Sequence, residues 1–333
     1  MNAMIRILLS LACALPLCGQ QQASTLLRLA DTADAVAVAT MTAATDPSPE
    51  WRRVTFHVDE SLKGALGASF SALEPAGRCC GNALYSVEPG DTYVVFLQMR
   101  GGAAHPIAGE RGVVKATAEI VAHVKRLIRS RGDEAAQVRA LAQCLSHEDP
   151  RIAQDAALAL GSHPHAVTDE PSRELLRTAL RHHAHTASTA LPSLALAVAR
   201  ADGDQAASQL FSLYLEAPTE DGAKALRRAL ESLPTTSVAA AARSCPAQDE
   251  AQIVRAANLL EQRADPAQLD VLQRMLRQAE RANSKAAVAC ALLANGIEPS
   301  QLAGQVDEVV LEASKQLRAN KLKALPRAAT PAR

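Results

Sequence analysis

The spacing of apolar side chains changes period part-way along the chain. Between residues 53 and 59, Val54, Phe56 and Val58 alternate with Arg53, Thr55 and His57, the period of two that predicts a half-buried strand. Ala35-Val36-Ala37-Val38-Ala39-Thr40 and Tyr93-Val94-Val95-Phe96-Leu97 are continuous apolar runs of strand length, and residues 70–73 form a shorter one. Asp46-Pro47-Ser48-Pro49 reads as a turn, Lys63-Gly64 and residues 77–81 as breaks, and Glu88-Pro89-Gly90-Asp91 as another turn. A unit of about five strands follows, and a barrel closes so few strands without exposed edges. A short helix over residues 25–33 precedes it, and the Gly-punctuated residues 105–114 are expected to pack back onto it.

Beyond residue 117 the period becomes helical. Ile120, Val121, Val124, Leu127 and Ile128 share one face of a helix that Thr117 can cap and Gly132 ends. The most informative stretch is residues 149–161. Asp149-Pro150 opens a helix, Ile152, Ala156, Ala157 and Leu160 form its apolar face, and Gly161 reads as its stop. Just upstream, Val138, Leu141, Ala142 and Leu145 mark a partner helix, joined through Ser146-His147-Glu148. Such a hairpin cannot bury both outer faces alone and needs neighbours. Similar faces recur at Leu176/Leu180, Leu194/Val198, Leu210/Leu213, Leu226/Leu230, Ala256/Leu260, Leu272/Leu276 and Ala287/Leu292. With Pro- and Gly-containing connectors between them, these predict about eleven helical segments, the last over residues 306–322.

Residues 149–161, DPRIAQDAALALG, resemble the second helix of a HEAT repeat, with its Asp-Pro entry, small-residue face and Leu-Gly exit. The resemblance implies a right-handed solenoid of stacked helix pairs; the later copies are degenerate. The front unit is similar to the OB-type barrel of netrin-like domains, the class that includes tissue inhibitors of metalloproteinases. That likeness covers residues 33–97. It rests on Ala33-Asp34-Ala35-Val36, on Val54-Thr55-Phe56-His57-Val58 leading to Leu62-Lys63-Gly64, on a Cys in the next loop, and on Pro89-Gly90-Asp91 before Tyr93. Inhibitors of that class begin with a Cys-X-Cys that caps a protease metal. No such pair begins the mature chain here, so protease inhibition is not implied.

Composition divides the chain at the same place. Trp51, Phe56, Phe70, Tyr85, Tyr93 and Phe96 fall in the front part, leaving Phe211 and Tyr214 behind it, as expected of strands followed by Ala/Leu-built helices. The expected fold class is therefore α+β multidomain, a small all-β OB-like barrel followed by a HEAT-like α-solenoid. The expected division is a leader over residues 1–22, the barrel over 23–116, a bridging helix over 117–132, the helical repeats over 133–325 and a tail over 326–333.

Arg6, the apolar run from Ile7 to Leu17 and the exit Cys18-Gly19-Gln20 read as a secretory leader, cleaved between Gly19 and Ala23. The run is too short to span a bilayer. The product is expected to be periplasmic or extracellular. Leu15-Pro16-Leu17-Cys18 faintly resembles a lipobox, so a membrane partner enters only if Cys18 is lipidated. Lys and Arg together number 35, as do Asp and Glu, which leaves no global field for a nucleic acid.

An exported chain permits disulfides. Cys144, Cys245 and Cys290 lie on helical faces, whereas the adjacent Cys79 and Cys80 sit between glycines and are a possible disulfide. They can close on each other or tie the loop to a segment such as Cys18. No Cys-X2-Cys pair is present for zinc. His163, His165, His182, His183 and His185 cluster at positions read as loops, without His-Glu-X-X-His spacing or an orienting carboxylate. No nucleophile elbow, P-loop or dinucleotide fingerprint occurs.

The expectation is thus a non-enzymatic binding or scaffold protein without a cofactor, recognising a protein or peptide. Arg151, Asp155, Arg177, Arg181, Arg227, Arg228, Arg255 and Arg274 are its candidate contact residues, mixed with acids as suits a protein partner. An envelope component in which the solenoid is only a spacer is the alternative. A metal-dependent enzyme built on the histidines is a weaker one.

Overall fold

The computed structural model describes residues 25–48, 51–75, 87–101, 103–107, 112–163, 165–186, 188–261 and 265–324. The expected leader, Cys18, Cys79, Cys80 and the residues beyond 324 lie outside them. The chain divides into two compact units, Met1–Asp133 and Glu134–Arg333.

In the first unit, α1 (Leu26–Thr32) is capped by Thr25, whose Oγ1 accepts from the Arg28 N–H at 3.2 Å. Six strands follow: β1 (Ala35–Ser48), β2 (Trp51–Lys63), β3 (Ser69–Pro75), β4 (Thr92–Arg100), β5 (Ala103–Pro106) and β6 (Val113–Lys115). They form one antiparallel sheet in the order β3-β2-β1-β4-β5, with β6 on β4. β3 and β5 approach each other, so the sheet is a near-closed barrel.

The turn expected at Asp46-Pro47-Ser48-Pro49 is displaced. β1 continues through Ser48, which pairs with Trp51, because register shifts let it follow β2 round the barrel. The stretch expected to pack back overlaps β5 and β6, which both pair with β4 on the edge away from β1.

Alternation sends Ala35, Ala39, Met41, Val54, Phe56, Tyr93, Val95 and Leu97 to one core. There Phe56 stacks on Phe70 at 5.1 Å and meets Tyr93 edge-on at 6.4 Å. Val36, Val94 and Phe96 point the other way yet are fully buried. α1 packs on β4, and α2 (Ala118–Arg129) packs on α1 and β2. Each such side chain contributes about 1.5–3 kcal/mol through burial. Thr117 caps α2 as expected, accepting from the Ile120 N–H at 3.2 Å.

The second unit is helical: α3 (Glu134–Cys144), α4 (Pro150–Ser162), α5 (Glu170–Thr186), α6 (Leu191–Asp202), α7 (Ala206–Glu216), α8 (Glu220–Glu231), α9 (Thr235–Ser244), α10 (Glu250–Glu261), α11 (Leu269–Gln278), α12 (Ala282–Ala294), α13 (Pro299–Leu302) and α14 (Glu308–Ala324). They lie in two rows. Odd-numbered helices stack α3 on α5, then α7 on α9 and α9 on α11; even-numbered ones stack α4 on α6 on α8, then α10 on α12 on α14. Small residues let the even row pack closely, as with Ala156, Ala157 and Ala159 of α4 and Ala195, Ala197 and Ala199 of α6. The even row is interrupted once, where α10 packs on α7 rather than on α8. Phe211 and Tyr214 of α7 are buried in this part of the unit, and the Tyr214 hydroxyl donates to the Arg255 carbonyl at 2.9 Å.

Gly161 is not the stop that its position suggests. α4 runs through it to Ser162, and a Cβ at Gly161 would lie 2.3 Å from the Ser193 Cβ. The glycine is there because α6 approaches at that point. Among the described residues no helix is long and apolar enough to cross a membrane.

Candidate interaction surface of the helical unit

A two-row array has two outer faces, and the eight residues singled out from the sequence are divided between them. Arg151 and Asp155 on α4, Arg227 and Arg228 on α8 and Arg255 on α10 belong to the even row. Arg177 and Arg181 on α5 and Arg274 on α11 belong to the odd row. They do not form one continuous surface.

Several of these arginines are used internally. Arg177 grips Asp202 at the end of α6 with two parallel bonds, Nε to Oδ2 at 2.7 Å and Nη2 to Oδ1 at 2.8 Å. Its Nη1 also meets Glu170 at 2.7 Å and Glu174 at 3.3 Å. The hydrogen bonds to Asp202 and Glu170 raise its pKa further above the ordinary value. Asp202 is almost wholly covered, so this fork ties α5 to α6. Arg181 pairs with Glu174 at 3.1 Å and Arg227 with Glu231 at 2.7 Å. Arg255 donates from Nη1 to the carbonyls of Leu215 and Ala217, both at 2.8 Å, and so closes the end of α7. Asp155 is half-buried.

Arg200 was not visible from spacing, yet it does the same for α4. Its guanidinium donates to the carbonyls of Leu160 at 2.8 Å, Gly161 at 2.7 Å and His163 at 2.7 Å. Lys63 does it in the first unit, reaching the carbonyls of Ala30 in the last turn of α1 and of Ala33 just after it. The last carbonyls of a helix have no partner within it, and a basic side chain from a neighbouring element supplies one. Only the general need was legible; the donor lies some forty residues away in sequence.

What remains free on the even row is specific. Among the described residues Arg151 and Arg228, exposed on α4 and α8, make no ion pair, and neither does Arg274 on the odd row. Between those helices α6 presents Leu196, 36% exposed. Gln154 of α4 donates to Thr189, just before α6, at 2.5 Å.

The histidines do not meet. His182, His183 and His185 lie within α5 rather than in a loop, because the Leu176/Leu180 face continues to Ala184. His163 ends α4 and His165 follows it. Roughly 20 Å of α5 separates the two groups. Their rings form separate pairs, His163–His165 at 5.9 Å and His182–His183 at 5.4 Å. Among the described residues no three His, Cys, Asp or Glu side chains form a group that could hold a metal ion. Cys144 and Cys290 are buried thiols, and burial pushes the Cys290 thiol up to about 11.

No family model and no curated protein sequence matches the chain.

Proposed function

We propose that this protein is an exported, non-enzymatic binding or scaffold protein that takes a protein or peptide partner on the outer face of its even-numbered helices. On this reading the rear unit is a HEAT-like solenoid, and the front unit is a netrin-like barrel that offers a second contact surface. The observation that carries the proposal is the division of labour among the arginines. Arg177, Arg200 and Arg255 are spent on holding helices together, whereas Arg151 and Arg228 stand exposed and unpaired to either side of the half-open Leu196. Exposed arginine beside apolar surface is the composition of protein-binding patches. Balanced overall charge fits such a partner better than a polyanion.

Export is supported by Arg6 and the Ile7–Leu17 run. The cap on α1 comes from Thr25, so cleavage between Gly19 and Ala23 leaves that helix whole.

A photoreactive amino acid placed at Leu196 tests the binding face in the native host, with the same group at Arg181 on the odd row as control. Capture of a discrete protein from Leu196 and not from Arg181 supports the reading. Equal capture from both, or none, makes the helical unit a spacer.

A further inference from the structure

His163 sits at the corner where α4 hands over to α5, and it is 6% exposed. Its Nδ1 accepts from the His165 N–H at 3.2 Å and therefore carries no proton; the ring's single N–H is on Nε2. A second proton can go only to Nδ1, which converts that acceptor into a donor and breaks the bond. Charges face the ring from each side of the corner. Arg200 of α6 holds the His163 carbonyl itself at 2.7 Å. His165 lies edge-on at 5.9 Å, and Glu134 of α3 pairs with His165. From the start of α5, Asp169 is occupied by the Ser172 N–H at 3.0 Å and faces Arg139 of α3.

We propose that this corner is an acid-sensitive latch, released when His163 takes a proton. The new charge is buried beside the Arg200 guanidinium, which repels it, while Glu134 is engaged with His165. Burial holds the His163 pKa below its ordinary value, against the opposing effects of the His165 backbone hydrogen bond and of Glu134. Protonation severs the Nδ1 bond and weakens the grip of Arg200 on Leu160, Gly161 and His163. The Ile152, Ala156 and Leu160 face of α4 is untouched by it. The His165–Glu134 contact takes no part in this step, so the loop keeps one anchor while it loses the other. The expected motion is a local opening at residues 161–163 and 165–167 rather than unfolding.

Amide hydrogen exchange on the full chain tests the latch. Between about pH 7.5 and 5.5, after correction for intrinsic exchange chemistry, opening at residues 161–163 and 165–167 should rise several-fold relative to amides in α10 and α12. His163→Asn keeps an acceptor near the Nδ1 position but cannot titrate, and its opening should stay flat. A similar rise in that variant, or no rise in the wild type, overturns the proposal. Should the variant not fold, nitrogen-detected histidine titration of the wild type decides. Amide shifts of residues 160–163 and 165–167 must follow the His163 ring, and a midpoint belonging to another histidine overturns the proposal as firmly.

Discussion

Gly161 lies directly against Ser193: a side chain there would put its Cβ 2.3 Å from the Ser193 Cβ and 2.6 Å from the Ser193 Cα. Intrinsic preference favours alanine over glycine inside a helix by about 1 kcal/mol. The clash is with backbone and outweighs that preference. Gly161→Ala should therefore destabilise the protein, by about 1–3 kcal/mol in chemical denaturation. A stabilised variant would mean that α4 and α6 stand further apart.

The contrast between spent and free arginines gives a second expectation. Arg177→Ala removes a bidentate grip on a covered carboxylate and should cost about 1–3 kcal/mol. Arg228→Ala should change stability by no more than about 0.5 kcal/mol. Urea midpoints of the two variants, compared at constant m-value, check the ranking. Equal costs would remove the distinction on which the binding face is drawn.

How far each feature could be read from the sequence follows from how local its cause is. The caps at Thr117 and Asp149 were legible because a hydroxyl or carboxylate and the N–H it serves lie two or three residues apart. The apolar face of α4 came through because helical period alone specifies it. Gly161 was misread because a glycine at a helix end looks the same whether it stops the helix or admits a neighbour, and Ser193 is thirty-two positions away. The histidines of α5 looked like loop residues because His182-His183 interrupts the apolar pattern for one turn. Charged side chains proved hardest. Arg228 and Arg255 are equally arginine in sequence, and only the neighbouring helix decides which one is spent on a carbonyl.

Tyr214 gives a pH dependence at the alkaline end. Burial pushes its hydroxyl up to about 12 from an ordinary value of 10.0. Its neutral form is favoured by folding, so its contribution is whole below pH 10 and is lost as pH rises from there towards 12. Spectrophotometric tyrosine titration should show a late-titrating component that is lost in Tyr214→Phe. A wild-type titration without that late component would mean that the hydroxyl is not buried as described.

Export is checked by intact mass. Protein recovered from its native host should begin between Gln20 and Ser24, with at least one of Cys79 and Cys80 blocked to thiol reagents under denaturing, non-reducing conditions. A chain retaining Met1 would refute export. A diacylglyceryl mass on Cys18 would instead favour the membrane-anchored alternative.

The central claim is that the even-row face holds a partner, and charge reversal tests it most directly. Arg151→Glu and Arg228→Glu alter exposed residues that make no ion pair, so the double variant should keep the thermal midpoint of the wild type. Full-length wild type and double variant would each be crosslinked in the native compartment, and their captured proteins quantified by mass spectrometry. The account predicts a discrete partner that the folded double variant loses at least tenfold, a change of about 1.4 kcal/mol. An undiminished partner, or none for either protein, would contradict it.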